Sequence, residues 1–349
     1  MDTVSGYTTT YNCIEMHYPF QECIRSLLGF CDEVCIADAG STDGTVEVLQ
    51  QMARVERRVK IVIAPVNFEH PRWAIHQDGF LKAKARALCT ADFCWQTDTD
   101  EIVASAYFQA VRSVTPIVRT HPVVMLPMIE FWGSFQRVRA DFMSWKPRLS
   151  LNDARITHGI PNRSKEFDRA GHPYPRPYES DSCNYIYKES EEDVPIATPL
   201  PPGVPALHTL NASQYEQVFN QCITMLPSVL HVSWLDLPRK ISHYRQFWKK
   251  FHSSMYNLEI ADTAANNVMF DKPWSAVTDS DILAKAAELE RIGPRNFHHK
   301  IKATEIGRTI PFNGEIPDEL AAWYARERRQ HTHALGGDQP RTAFSQPVA

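Results

Sequence analysis

Trp95-Gln96-Thr97-Asp98-Thr99-Asp100-Glu101 is the stretch whose reading decides the fold. It follows Ala91-Asp92-Phe93-Cys94, a short apolar run that reads as a buried strand, and precedes Ile102-Val103-Ala104, which leads towards a helix. Three carboxylates thus leave a strand end within four residues. In open α/β sheets, ligands bind outside the carboxyl ends of the strands. Clustered carboxylates repel one another, and a divalent cation relieves that repulsion; hard oxygen ligands suit Mg²⁺ or Mn²⁺. Read alone, the stretch equally describes a solvated acidic loop. The chain before it decides between the two.

Val4 to Thr10 is a first strand, rich in Thr, Val and Tyr. His17 to Phe30 carries a helical apolar face at Cys23, Ile24, Leu27 and Leu28. Glu33 to Ala37 is a second strand, running into the polar turn Asp38-Ala39-Gly40-Ser41-Thr42-Asp43-Gly44-Thr45, where Asp43 and Thr45 can cap the helix that begins near Val46. A third strand spans 59–64, a helix 75–88 and a fourth strand 91–96. This alternation implies right-handed βαβ units and a parallel sheet. The second half is mixed. A helix is expected over 104–114. A strand is expected over 123–129, at an edge or bulge because of Pro127. Further strands fall within 132–149, and 150–205 is long and irregular. Helices are expected over 235–256, over 279–291 (capped at Asp279 or Ser280) and over 315–330.

The chain has 349 residues, 43% hydrophobic and 22% charged, which describes a soluble globular protein of one large or two ordinary domains. A net charge of −4 gives no electrostatic case for nucleic acid. No apolar run approaches the roughly 20 residues that cross a bilayer. Met1 to Ser5 lacks the basic and apolar regions of a signal peptide. None of the eight cysteines forms a Cys-x-x-Cys pair, which disfavours zinc. The expected location is a reducing cytoplasm, with peripheral membrane attachment left open.

Three features in order carry a resemblance: Thr-Thr-Tyr-Asn at 9–12 ending the first strand, Asp-Ala-Gly-Ser-Thr-Asp-Gly-Thr at 38–45 after the second, and Asp-Thr-Asp at 98–100 after the fourth. Together they resemble a family 2 glycosyltransferase with the α/β GT-A fold, a mostly parallel Rossmann-like sheet flanked by helices. The likeness covers residues 3–103 and loosens beyond. It implies a nucleotide-sugar-binding core at 1–130, an acceptor-binding region at 131–235, a helical C-terminal region at 236–330 and a flexible tail at 331–349.

The resemblance also implies roles. Thr9, Thr10, Tyr11 and Asn12 would line the base pocket, and Asp38 would accept from the base, with Asp43 in the same turn. Lys84 and Arg86 would contact the nucleotide-sugar, the plain alternative being a solvated helix face. Asp98 would meet the ribose or the metal, and Asp100 would bind Mn²⁺ or Mg²⁺, with His231 as a further ligand and His208 as the alternative. The catalytic base would be Asp181 in preference to Asp193, and His158 would border the acceptor pocket. Arg239, Lys240, Lys249 and Lys250 read as a solvated helix face or as a surface for a diphosphate, an acidic glycan or a membrane. The implied reaction is metal-dependent, inverting sugar transfer from a UDP- or GDP-type donor to a glycan or other hydroxyl acceptor. A sugar nucleotidyltransferase is disfavoured, because Thr8 to Cys13 stands where its Gly-rich basic loop belongs. A non-catalytic nucleotide- or glycan-binding module is the remaining alternative.

Overall fold

Six of the seven residues of the first strand, β1 (Val4–Thr10), are buried, as a strand covered on both faces must be. The partial exception is Thr9, near the strand's carboxyl end. A computed structural model describes residues 2–67, 73–139, 144–162, 184–199, 212–256, 261–294 and 309–334. Helix α1 (Phe20–Leu28) buries Phe20, Cys23, Ile24 and Leu27, a single 3.6-period stripe. Strand β2 (Glu33–Asp38), α2 (Thr45–Val55), β3 (Val59–Ile63), α3 (Trp73–Arg86) and β4 (Phe93–Gln96) complete the expected alternation. Strands β1, β2, β3 and β4 are mutually parallel in the order 3-2-1-4. Their carboxyl ends therefore share one edge of the sheet, with Thr10 opposite Asp38 and Tyr7 opposite Gln96.

Ile102 and Val103 head no helix. They belong to a short strand, β5 (Glu101–Val103), followed by α4 (Phe108–Ser113) and α5 (Thr115–Thr120). The helix expected over 104–114 starts late, at Phe108 after a 3-10 turn over Ser105–Tyr107, and a second begins at Thr115 with a proline in its first turn, where the missing N–H costs nothing. Strands β6 (Val123–Glu130), β7 (Arg137–Arg139), β8 (Ser144–Leu151), β9 (Ile156–His158), β10 (Tyr185–Tyr187) and β11 (Ile196–Ala197) follow. Then come α6 (Ala212–Met225), β12 (Val229–His231), α7 (Leu237–Tyr256), α8 (Asp279–Ile292), β13 (Thr309–Pro311) and α9 (Asp318–Ala334). The main sheet runs 3-2-1-4-8-6-12-5, mixed beyond β4, with β11 beside β6. Strand β6 is thus inside the sheet, but Pro127 pairs only with Trp145 of β8, in the gap between the stretches paired with β11 and β12, and the β6–β8 ladder is irregular between Val124 and Met125. Helix α8 is capped by Thr278, whose hydroxyl and Asp281 form a reciprocal capping box, rather than by Asp279 or Ser280. Helix α9 continues to Ala334, past the expected start of the tail.

The sheet must curl. Strands β4 and β5 lie four inter-strand steps apart, roughly 19 Å if flat, yet only residues 97–100 join them, a reach of about 17 Å fully extended. The joining segment is instead a tight turn, closed by Glu101 N–H to Asp98 C=O at 3.1 Å. The acidic turn thus sits in the concavity between the parallel and mixed halves.

A buried polar strap ties the β9–β10 hairpin to the sheet. The Tyr7 hydroxyl lies 2.6 Å from His158 Nε2 and 2.8 Å from the Tyr185 hydroxyl. Tyr7→Phe removes the hydroxyl both share and should lower stability by about 1–3 kcal/mol in urea unfolding. A stability equal to the wild type would contradict the strap.

Candidate active site

The turn after β2 is built around Asp38. Its carboxylate accepts from Gly40 N–H at 2.9 Å, Ser41 N–H at 2.7 Å, Ser41 Oγ at 2.7 Å and Thr10 Oγ1 at 2.7 Å. All four lone-pair positions are filled from within the chain, and the side chain is fully buried. Gly40 and Gly44 take φ of 86° and 97°, where a Cβ would be strained. Gly44 is the cap residue of α2, and Thr45 opens the helix. Asn12, itself at φ 42°, joins the two loops: its N–H donates to Ser41 Oγ, and its Oδ1 accepts from Thr42 N–H. Asp43 accepts from the N–H groups of Glu15 and Thr45. Burial would raise its carboxyl, but these hydrogen bonds outweigh burial and lower it.

The acidic turn after β4 is held from beneath by cations. Arg148, fully buried on β8, donates to Gln96 Oε1 at 3.0 Å and to Glu101 Oε1 at 2.5 Å. Lys146, two residues earlier on the same face, reaches Glu101 Oε1 at 3.2 Å and Asp98 Oδ2 at 3.4 Å. From α3, Lys82 lies 3.2 Å from Asp98 Oδ1 and 3.1 Å from Asp78. Glu101 Oε2 accepts from Asp98 N–H at 2.7 Å, which closes the turn. Burial would push the Asp98 carboxyl up, but Lys82, Lys146 and Arg148 hold it well below the carboxylate range.

Asp100 points the other way, towards β12 and β6. His231 Nε2 is 3.4 Å from Asp100 Oδ2, and its Nδ1 is 3.4 Å from Glu130 Oε1. Arg139 backs Glu130 at 3.4 Å. His231 Nδ1 is buried without a hydrogen bond of good geometry. Burial disfavours the imidazolium, but Asp100 and Glu130 prevail and raise His231 to about 9. Glu130, pushed up by burial and down by Arg139 and His231, settles at about 2. Thr9, Tyr18, Asp98, Asp100, Glu130 and Lys240 are among the residues lining a cavity of about 380 Å³ at this edge. Across it, Lys240 Nζ donates to Ser233 Oγ at 2.5 Å, and burial lowers its ammonium to about 8.

Of the residues expected at the site, Thr9, Asp98, Asp100 and His231 line this cavity. Thr10, Asn12, Asp38 and Asp43 build the adjoining turn, and Tyr11 packs beside it. Lys84 is exposed, its ammonium 5.2 Å from the Phe80 ring. Arg86 is buried, donating to Ser150 Oγ and to the carbonyls of Leu151 and Ile156. Neither lines the cavity. Asp181, His208, Lys249 and Lys250 lie outside the described residues or side chains, and Asp193 makes a bridge to Ile186 beside the hairpin.

Residues 7–165 match the family model described as Glycosyl transferase family 2. This segment belongs to glycosyltransferase family 2. No curated protein matches the chain. Among solved structures, S. aureus TarS is 14% identical, covering 83% of this chain and 54% of that one, with a TM-score of 0.32. Mannosyltransferase PcManGT from Pyrobaculum calidifontis, in complex with GDP-Man and Mn²⁺, is 14% identical over 96% of this chain and 83% of that one, with a TM-score of 0.33. The chain spans about half the length of TarS. Overlaps this loose say nothing of substrate.

The glycosyltransferase segment contains site residues that the motif reading passed over, Lys82, Glu130, Lys146 and Arg148, and Glu101, which it counted in the acidic cluster without a role. A signal was present for three of those passed over. Lys82 follows Asp78 at helical spacing, and Lys146 and Arg148 stand two apart in one strand, flanked by Trp145 and Leu149. Among the described residues no helix is long and apolar enough to cross a membrane.

The raised His231 has a sign. Its contribution is fully present below its ordinary value of 6.5 and is lost as pH rises through about 9. Thermal unfolding of the wild type should lose stability across that window, and His231→Gln should flatten the loss. Parallel curves for the two proteins would contradict the arrangement.

Proposed function

We propose that the chain transfers a sugar from a nucleoside-diphosphate sugar to a hydroxyl acceptor, a glycan being the class expected. The observation that supports this best is the convergence of Asp98, Asp100, Glu130 and His231 on one cavity, beside the Asp38 turn, at the carboxyl edge of a parallel sheet. Asp38 is committed to its own turn, so in this reading it shapes the base site through Thr10, Gly40 and Ser41. Tyr11 and Thr9 form the neighbouring wall.

The donor set fits a divalent cation. Asp100 and His231 would hold it, as carboxylate and imidazole together suit Mn²⁺. Among the described residues no three His, Cys, Asp or Glu side chains form a ready-made cage. That suits an ion of this kind, which is usually held by one or two carboxylates plus substrate phosphates. When bound, the ion acts as a Lewis acid towards the departing diphosphate. The protein's own part is preorganisation. Lys82, Lys146 and Arg148 fix Asp98 and the turn, and Glu130 fixes one side of the imidazole, so little needs to move when charge develops. Inversion requires a base on the acceptor side, and Asp181 remains the proposed residue, in a segment outside those described. Attachment to the surface of a membrane from a cytoplasmic location is part of the same proposal.

A thermal-shift screen of UDP, GDP and their sugars, with and without Mn²⁺, tests the reading. A ligand at a hundredfold excess over its dissociation constant adds about 2.7 kcal/mol of stability. Asp100→Ala should remove the Mn²⁺-dependent part of the nucleotide shift and leave the protein folded. An unchanged metal dependence in that variant would overturn the assignment. Nucleotide binding with neither transfer nor donor hydrolysis would favour a binding module instead.

A further inference from the structure

Every carboxylate lining the cavity already has a cation within ion-pair distance: Lys82 and Lys146 for Asp98, His231 for Asp100, and His231 and Arg139 for Glu130. Lys240 is the reverse case. Its ammonium lines the same cavity, and among the described residues no carboxylate stands within ion-pair distance of it. Its neighbours are Ser233 Oγ at 2.5 Å and the rings of Trp234 and Tyr244, with centroids at 5.6 and 5.9 Å. Aromatic faces attract a cation but do not neutralise it. Asp100 and Glu130 attract this charge from farther off, but burial outweighs them, so it is costly to keep.

The charge does not serve its helix either. Lys240 lies in the first turn of α7, at the positive end of the helix dipole, where cations are disfavoured. That turn contains no acidic residue, and the preceding Asp236 accepts from the Arg239 amide as a cap. Arg239 beside it spends its guanidinium on the carbonyls of Met16, His17, Val232 and Ser233, stitching the β1–α1 loop to α7. Lys240 alone of the pair faces the cavity.

We propose that Lys240 is a diphosphate-binding residue, whose ammonium donates to an unesterified phosphate oxygen of the donor in this cavity. The inference rests on the nucleoside-diphosphate reading above and adds to it a contact that needs no metal. The aromatic pair flanks the ammonium and Ser233 accepts from it, so the cation is in place before the ligand arrives.

Binding of UDP, GDP, uridine and guanosine is measured by calorimetry in EDTA, which removes any metal contribution. In the wild type the diphosphate that binds should bind more tightly than its nucleoside. Lys240→Met should weaken that diphosphate at least about tenfold, the effect of one charge-assisted hydrogen bond, and leave the nucleoside unchanged. Lys240→Arg should recover most of the loss. Equal diphosphate affinity in Lys240→Met, or an equal loss for the nucleoside, overturns the inference while the nucleotide reading stands. If the wild type binds none of the four, with Mn²⁺ restored as well, both readings fall. Amine acetylation of the wild-type protein gives an answer without any variant. The bound diphosphate should protect Lys240 and the nucleoside should not; modification that the diphosphate leaves unaltered overturns the inference.

Discussion

The pairing of Arg148 with Glu101 is the interaction on which the site depends. Both side chains are fully buried, they meet at 2.5 Å, and they come from strands on different parts of a curled sheet. An isolated charge at such depth would be prohibitive, and besides Arg148 the only cation within ion-pair distance of Glu101 among the described residues is Lys146, at 3.2 Å. Glu101 also closes the acidic turn through the Asp98 amide, and Arg148 also holds Gln96 at the end of β4. One ion pair thus fixes where β4 stops, where β5 starts and which way the intervening carboxylates face. It is weak as a source of net stability, since its desolvation offsets much of its Coulombic gain. What it supplies is position.

Around that pair the charges divide into two groups. Asp98 belongs to a set dominated by Lys82, Lys146 and Arg148. Asp100 belongs to a set with His231, Glu130 and Arg139. The two aspartates of one short motif therefore have different surroundings. Asp98 is neutralised by fixed cations of the protein. Asp100 is balanced by an imidazole, whose charge is conditional. Carboxylates so near one another stay ionised only because each has its own counter-charge, and Lys240 joins them in lining the cavity.

The parallel half was legible because its signals are local. The Thr-, Val- and Tyr-rich β1, the short apolar runs of β2 and β4, the helical stripe of α1, and the two glycines at positive φ after β2 all state their own conformation. The mixed half was less so. Strands of three residues such as β5 and β12 carry no period of their own and exist because partners pair with them. Pro127 argued locally for an edge or a bulge; the strand is inside the sheet, yet its ladder is irregular at Val124/Met125 and Pro127 itself is paired on one side only. In the site, Asp98 and Asp100 announced themselves by clustering. Lys82, Lys146 and Arg148 carried only their spacing as a signal, since a cation in a strand or helix reads as solvated until the fold buries it. Lys84 and Arg86 drew attention through motif spacing, yet the helix phase turns Lys82, not its neighbours, towards Asp98.

A double-mutant cycle between Arg148 and Glu101, using Arg148→Met, Glu101→Gln and the combination, measures the central interaction directly by equilibrium urea unfolding. If the pair holds the turn, each single variant is strongly destabilised, and the double variant recovers much of the loss, with a coupling energy of about 2–3 kcal/mol. Single effects that simply add, to within about 0.5 kcal/mol, would mean that the two side chains do not meet and that the acidic turn is held by something else.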